Sequence, residues 1–254
     1  MRMIETIIRQ VEMSFMCATK DGKPCHRGNS YRADPVWVPE QQQLAVIECE
    51  PANMGDFPNA VRIDHHRPQD PGFNMGPENY WLGSSIGQLH RLLGLEPTHA
   101  ARVMAAMDHC FPAAMDEQCP GINPSDVLDL KIEEISKATQ VTRDYVAAEI
   151  SAFTNYLLDA PEVIIGNQPV KLIRSHMGEG CSLSMLALQV AVAVGHQAVL
   201  VRLRDGPGEP DKIVLSGNVT SETIKVFLEN WAPENGLERT YGVPSRGYAG
   251  GYVK

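Results

Sequence analysis

Short apolar runs alternate with segments of helical spacing along most of this chain, and few folds accommodate that order. In the first half the strand candidates are "QLAVIECEP" and "NAVRIDHH", where Val61 and Ile63 alternate into a polar end. "SSIGQLHRLLGL" follows, with capping serines at its start and Ile86, Leu89, Leu92 and Leu93 at helical spacing; "THAARVMAAMDHC" reads as another helix. In the second half "EVIIG", "VKLIRS", "AVLVRLR" and "KIVLSG" read as strands, with helices expected over 182–195 and 220–231. Alternation in both halves predicts an α/β protein. The 254 residues suffice for one large or two modest domains. A helical stretch after the turn-rich "PAAMDEQCPGINPS" resembles a connector and sets the boundary at about residue 150, giving domains 1–150 and 151–254.

A formal net charge of -9 argues against a long grip on duplex nucleic acid, which needs a broad basic face. It leaves a small anionic substrate open, because a metal ion and a few arginines reverse the sign locally. The cysteines at 17, 25, 49, 110, 119 and 181 form no C-x-x-C pair. With no signal peptide visible, they point to free thiols in a reducing cytoplasm. The most apolar stretch, "CSLSMLALQVAVAVG", is too short to span a bilayer, so no membrane role is expected.

The chemistry concentrates in "AVRIDHHRPQDPGF". Ligands of open α/β sheets collect beyond the carboxyl ends of the strands. The endings "IECE" and "IDHH" would bring Glu48, Asp64, His65 and His66 toward one crevice. Carboxylates with imidazoles and no thiolate suit Mn²⁺, Fe²⁺ or Zn²⁺, which can activate a water and hold an anionic group together. Asp108 reads as a further ligand or as a polar helix end, and His109 as a partner of the helix dipole. Arg67 can fork onto a phosphate, with Arg62 two positions before Asp64 on the same strand. Ser84 and Ser85 read as helix caps, as an anion site at a helix start, or as both.

The order "IDHH", "SSIGQL", "AAMDH" over residues 44 to 110 resembles the DHH phosphoesterase superfamily. The resemblance implies a DHH-like N-terminal domain with a mostly parallel sheet, and a smaller α/β C-terminal substrate-binding domain. It also implies a divalent site, usually manganese with Mg²⁺, Fe²⁺ or Zn²⁺ as alternatives, cleaving phosphoester or phosphoanhydride bonds. Glu48 stands at the family's acidic strand end and Asp108 at its final metal aspartate. Asp64, His65 and Asp108 are then the catalytic candidates.

The start departs from the family's histidine and Asp-x-Asp. "ATKDGKPCHRGNSYRADP" is closer to the melanocyte-proliferating-gene branch of DHH-like hydrolases, which includes RNA exonucleases. In that match Lys20 replaces a histidine, His26 is retained as a candidate ligand, and Gly28-Asn29 replace an acidic pair. Asp34 is the nearest substitute carboxylate. The tail "SRGYAGGY" is similar to the family's glycine-rich substrate loop without its G-G-G-H. It makes Arg246, Gly250 and Gly251 substrate-binding candidates, joined by His176 in "RSHMGEG", with Ser216-Gly217 a weaker one. The expected function is hydrolysis of a nucleotide, a short single-stranded oligonucleotide or another small phosphate compound. A degenerate DHH-like binding or regulatory protein is the alternative, and a homodimer is left open.

Overall fold

The computed structural model describes residues 2–11, 13–25, 29–173, 183–203, 211–244 and 247–253. The fold is mixed α/β and divides into two compact units, Met1–Cys110 with Gln118–Ile122, and Phe111–Glu117 with Asn123–Lys254.

In the first unit, helix α1 (Arg2–Gln10) buries Ile4, Ile7 and Ile8, the i, i+3, i+4 stripe of an amphipathic helix. Strands β1 (Thr19–Lys20) and β2 (Lys23–Pro24) form an antiparallel hairpin. Asp21 and Gly22 turn it at φ 53° and 71°, the left-handed pair that suits the twist of such a hairpin. Strands β3 (Ala45–Ile47) and β4 (Val61–Ile63) pair in parallel, with Ala45 beside Val61 and Ile47 beside Ile63. Among the described residues this pair is the whole of that sheet, where a larger and mostly parallel one was expected. Helix α2 (Tyr80–Gly83) leads into α3 (Ser85–Leu93), which packs against β4 and α1. The Ser84 hydroxyl caps α3 by accepting the Gly87 N–H at 3.1 Å. Gly94, at φ 63°, closes it in the left-handed conformation typical of glycine after a helix.

Gly87 has a second constraint. A Cβ there would overlap the Trp81 carbonyl, a backbone group that cannot rotate away. Gly87→Ala is therefore expected to cost about 3 kcal/mol, read as a lower urea midpoint at unchanged slope. An unchanged midpoint would mean that α2 and α3 separate freely.

Helix α4 (His99–Met115) breaks at Cys110, whose φ of -152° and ψ of 54° are non-helical. Pro112 has no N–H to donate, and its ring crowds the preceding turn, which explains a break just upstream. The two compact units also divide at this point.

The second unit holds α5 (Pro124–Thr139), α6 (Arg143–Asp159), β5 (Glu162–Ile165), β6 (Gln168–Ile173), α7 (Leu183–Val194), β7 (Ala198–Leu203) and β8 (Lys212–Gly217). Helix α8 (Ser221–Val226) continues through a π turn, Phe227–Trp231, into α9 (Ala232–Glu234), followed by β9 (Leu237–Val243) and β10 (Tyr248–Val253). The six strands lie in the order β5-β6-β7-β8-β10-β9, and only β6 and β7 run parallel. Strand β7 shows why its sequence is so apolar. Val199 and Val201 face one core with Ile135, Val146, Ile150 and Leu188, while Ala198 and Leu200 face another with Leu215, Ile224 and Phe227. Each such Val, Leu or Ile contributes roughly 1.5–3 kcal/mol of burial.

The compact units differ from the expected domains in two ways. The division lies at Cys110 and Asn123 instead of near 150, because α5 and α6 bury Ile135, Val146, Ile150 and Leu157 in the core of the second unit. The second unit is also the larger of the two. No helix among the described residues is long and apolar enough to cross a membrane.

Candidate metal centre

Because Ile47 sits beside Ile63, the next residues along β3 and β4 are Glu48 and Asp64. The Glu48 N–H donates to the Ile63 carbonyl at 3.1 Å, continuing the ladder by one bond. Glu48 then takes a φ of 52°, a left-handed conformation that costs a non-glycine residue roughly 1–3 kcal/mol. Strain of this kind is kept where the surroundings fix it, and it places the Glu48 carboxylate beside both histidines. A carboxylate oxygen of Glu48 and one ring nitrogen each of His65 and His66 lie within 4.8 Å of one another. Among the described residues this is the one cluster of three side chains able to share a metal ion.

Asp64 is buried, and its carboxylate is engaged from several sides. Oδ1 accepts the His65 N–H at 2.7 Å, the His66 N–H at 3.2 Å and the His66 Nδ1–H at 2.8 Å. Tyr31 donates its hydroxyl to Oδ2 at 2.9 Å and reaches Oδ1 at 3.1 Å. Burial alone would push the Asp64 carboxyl up, but the bonds from His66, Tyr31 and the two backbone N–H groups outweigh it and bring it down to about 2. Since a carboxylate can only accept, the His66 Nδ1 carries the proton and the ring lone pair is on Nε2. The Asp64 bond, with some opposition from burial, holds the His66 imidazolium above its ordinary value.

Ser85 sets the other imidazole. Its hydroxyl hydrogen-bonds the Glu48 carboxylate and lies 3.3 Å from His65 Nδ1. With its one proton directed to Glu48, the hydroxyl accepts from Nδ1–H, which places the lone pair of His65 on Nε2 as well. The two rings stack at 4.2 Å. Asp108 Oδ2 stands 4.0 Å from His65 Nε2 but is not one of the three clustered ligands. Burial, and then the negative charge of Asp108, push Glu48 above the usual carboxylate range, while Ser85 and His66 partly oppose the rise. A half-buried carboxylate raised by desolvation and by a neighbouring negative charge is what a cation would relieve. The donor set therefore fits a divalent ion held by Glu48, His65 and His66, with Asp64 and Ser85 orienting the rings.

The remaining sequence candidates divide. Arg67 is half-exposed, with Nη1 3.2 Å from Glu50 and its guanidinium 3.6 Å above the Tyr31 ring. Arg62 shares Glu50 at 3.0 Å. Ser84 is fully buried and spends its hydroxyl on Gly87 and the Trp81 carbonyl, so its role is capping. Asp34 does not join the centre. It accepts from Thr19, Asp21 and Gly22 and braces the β1–β2 turn. His109 donates from Nε2 to the Met75 carbonyl at 2.9 Å and meets His65 edge-on at 5.0 Å. Its ring passes over Gly83, where a Cβ would come within 2.7 Å. Gly250 and Gly251 are not in a loop: both lie in β10, and the Tyr241 side chain fills the space a Cβ at Gly250 would need. Ser216 and Gly217 end β8. His26, His176 and Arg246 lie outside the described residues.

Three contributors carry no sequence signal of their own. Gln88, one turn into α3, accepts the Asp64 N–H at 3.1 Å and donates to its carbonyl at 2.9 Å, fixing the backbone at the motif. Glu50 anchors both arginines. Tyr31, from the 3₁₀ turn Ser30–Arg32, reaches Asp64 across 33 positions of sequence. Only the "S-S-x-G" start marks the helix that carries Gln88. No protein-family model matches the chain, and no curated protein matches it.

Proposed function

We propose that this chain is a divalent-metal-dependent phosphohydrolase of the DHH phosphoesterase type. Its substrate would be a nucleotide, a short single-stranded oligonucleotide or another small phosphate compound. The observation that carries the reading is the convergence of Glu48, His65 and His66 beside a half-exposed Arg67. Manganese is the preferred ion, with magnesium, iron and zinc as alternatives. Bound there, such an ion would polarise a phosphoryl oxygen and lower the pKa of a water. The chain's own groups supply the rest. Asp64 and Ser85 keep each imidazole in one tautomer, and Arg67, whose fork has five N–H donors, can pair phosphate oxygens beyond its bond to Glu50. Asp108, close to His65 and half-exposed, would take up or release a proton.

A second reading keeps the scaffold and the ion without catalysis. It is favoured by one observation: Asp34, the nearest replacement for the missing acidic pair, is consumed by the hairpin turn. Turnover of bis-nitrophenyl phosphate, a 5′-phosphorylated adenine dinucleotide and pyrophosphate with added Mn²⁺ separates the two. The hydrolase reading expects turnover that a chelator abolishes and that His65→Ala lowers more than roughly 100-fold with the circular dichroism unchanged. Stoichiometric Mn²⁺ without turnover of any of them selects the binding reading, and no Mn²⁺ uptake overturns both.

A further inference from the structure

We propose that Tyr31 is the positioning residue that couples the metal-binding histidines to the anion-binding arginine of this centre. The inference rests on the metal-hydrolase reading. Its hydroxyl holds the Asp64 carboxylate at 2.9 Å, and that carboxylate holds His66 Nδ1 at 2.8 Å. The same ring carries the Arg67 guanidinium 3.6 Å above its centroid, close enough for a strong cation–π contact. Its edge also meets His66, with ring centroids 6.3 Å apart. One rigid side chain thus touches Asp64, His66 and Arg67, three of four consecutive positions that divide metal and anion work between them.

The ring is held from behind. Its 3₁₀ turn is closed by the Arg32 N–H on the Asn29 carbonyl at 2.9 Å. The turn is then stitched to the segment leaving β3, where the Ala33 N–H meets the Glu50 carbonyl at 3.2 Å and the Glu50 N–H meets the Ser30 carbonyl at 3.0 Å. The side chain of that same Glu50 takes Arg67 Nη1 at 3.2 Å. Stack and ion pair together fix the guanidinium with most of its N–H donors left over for an anion. A shift of the phenol would move both the histidine ring and the arginine fork. A catalytic centre of this kind loses rate with displacements of an ångström.

Two substitutions separate the two contacts. Tyr31→Phe keeps the ring beneath Arg67 and removes the hydroxyl, so Mn²⁺ affinity and kcat are expected to fall roughly tenfold with KM unchanged. Tyr31→Leu removes both contacts, and KM should rise as well, about fivefold to tenfold. Arg67→Ala, measured alongside, should reproduce the rise in KM while leaving the Mn²⁺ affinity alone. Calorimetry with Mn²⁺ and steady-state kinetics on the dinucleotide read all three, with circular dichroism checking the fold. Wild-type Mn²⁺ affinity and kcat in Tyr31→Phe overturn the coupling through Asp64. Equal KM in the Phe and Leu variants overturns the coupling through Arg67. Wild-type protein that takes up no Mn²⁺ sinks the metal reading itself, an outcome distinct from either.

Discussion

Glu48→Gln is expected to do two opposite things: weaken Mn²⁺ binding by more than roughly 100-fold, beyond the loss typical of an outer-shell partner, and stabilise the metal-free protein at neutral pH. The first follows from the loss of the only carboxylate in the three-ligand cluster. The second follows from the raised pKa of Glu48, which burial causes first and the Asp108 charge second. A carboxyl raised on folding binds its proton more tightly in the native state, so its charge opposes folding once the pH exceeds the unfolded value of about 4.5. An isosteric neutral amide removes that opposition. His66→Ala should also abolish Mn²⁺ binding, with no such gain, since it orphans part of the Asp64 shell. The His66 proton competes with the ion, and Asp64 raises that pKa, so affinity should climb with pH through the raised value with release of a proton. Calorimetry and thermal melts of the metal-free variants decide it. Glu48→Gln that melts below wild type, or that binds Mn²⁺ as tightly, would show that Glu48 is a structural acid.

The readable part of this centre was the part encoded by local chemistry. Two short apolar runs that both end in acids implied strands whose ends share a crevice, and the parallel register Ile47 to Ile63 puts Glu48 and Asp64 side by side. Ser84 announced a cap and is one. Residues that act across long separations were not readable. Tyr31 lies in a stretch whose Gly, Pro and Asn content suggests only a loop, and nothing local says that its hydroxyl is aimed at Asp64. Glycine misled in the other direction. "YAGGY" has turn composition, yet pairing with β8 and β9 overrides it, and the Tyr241 ring explains why Gly250 must lack a side chain. The packing of the expected connector was hidden for a related reason. Apolar side chains lie on the exposed face of α6 as well, Tyr145, Tyr156 and Leu158 among them, so the positions that commit α5 and α6 to the second unit become evident only against α7.

Asp64→Asn is expected to cost the metal-free protein about 3 kcal/mol at pH 7 and to flatten its acid unfolding. The carboxyl sits at about 2 in the fold against 3.8 unfolded, a difference worth roughly 2 kcal/mol. Because the folded value is the lower, that stability is fully present above 3.8 and drains away as the pH falls toward 2. His66 runs the other way: its folded value is raised, so its contribution is present below 6.5 and is lost as the pH climbs through the raised value. The pair thus stabilises the chain most between the two limits. An asparagine with its oxygen toward the His65 and His66 donors turns its N–H₂ to the Tyr31 hydroxyl, which can accept it, but the charge that strengthens all of these bonds is gone. The flipped amide would set N–H₂ against the donors of His65 and His66. Urea unfolding of both proteins from pH 2 to 8 measures the difference directly. Wild type should lose stability steeply below pH 4 where the variant does not, and parallel pH profiles would mean that Asp64 is not the ionised hub on which both histidine orientation and the Tyr31 contact depend.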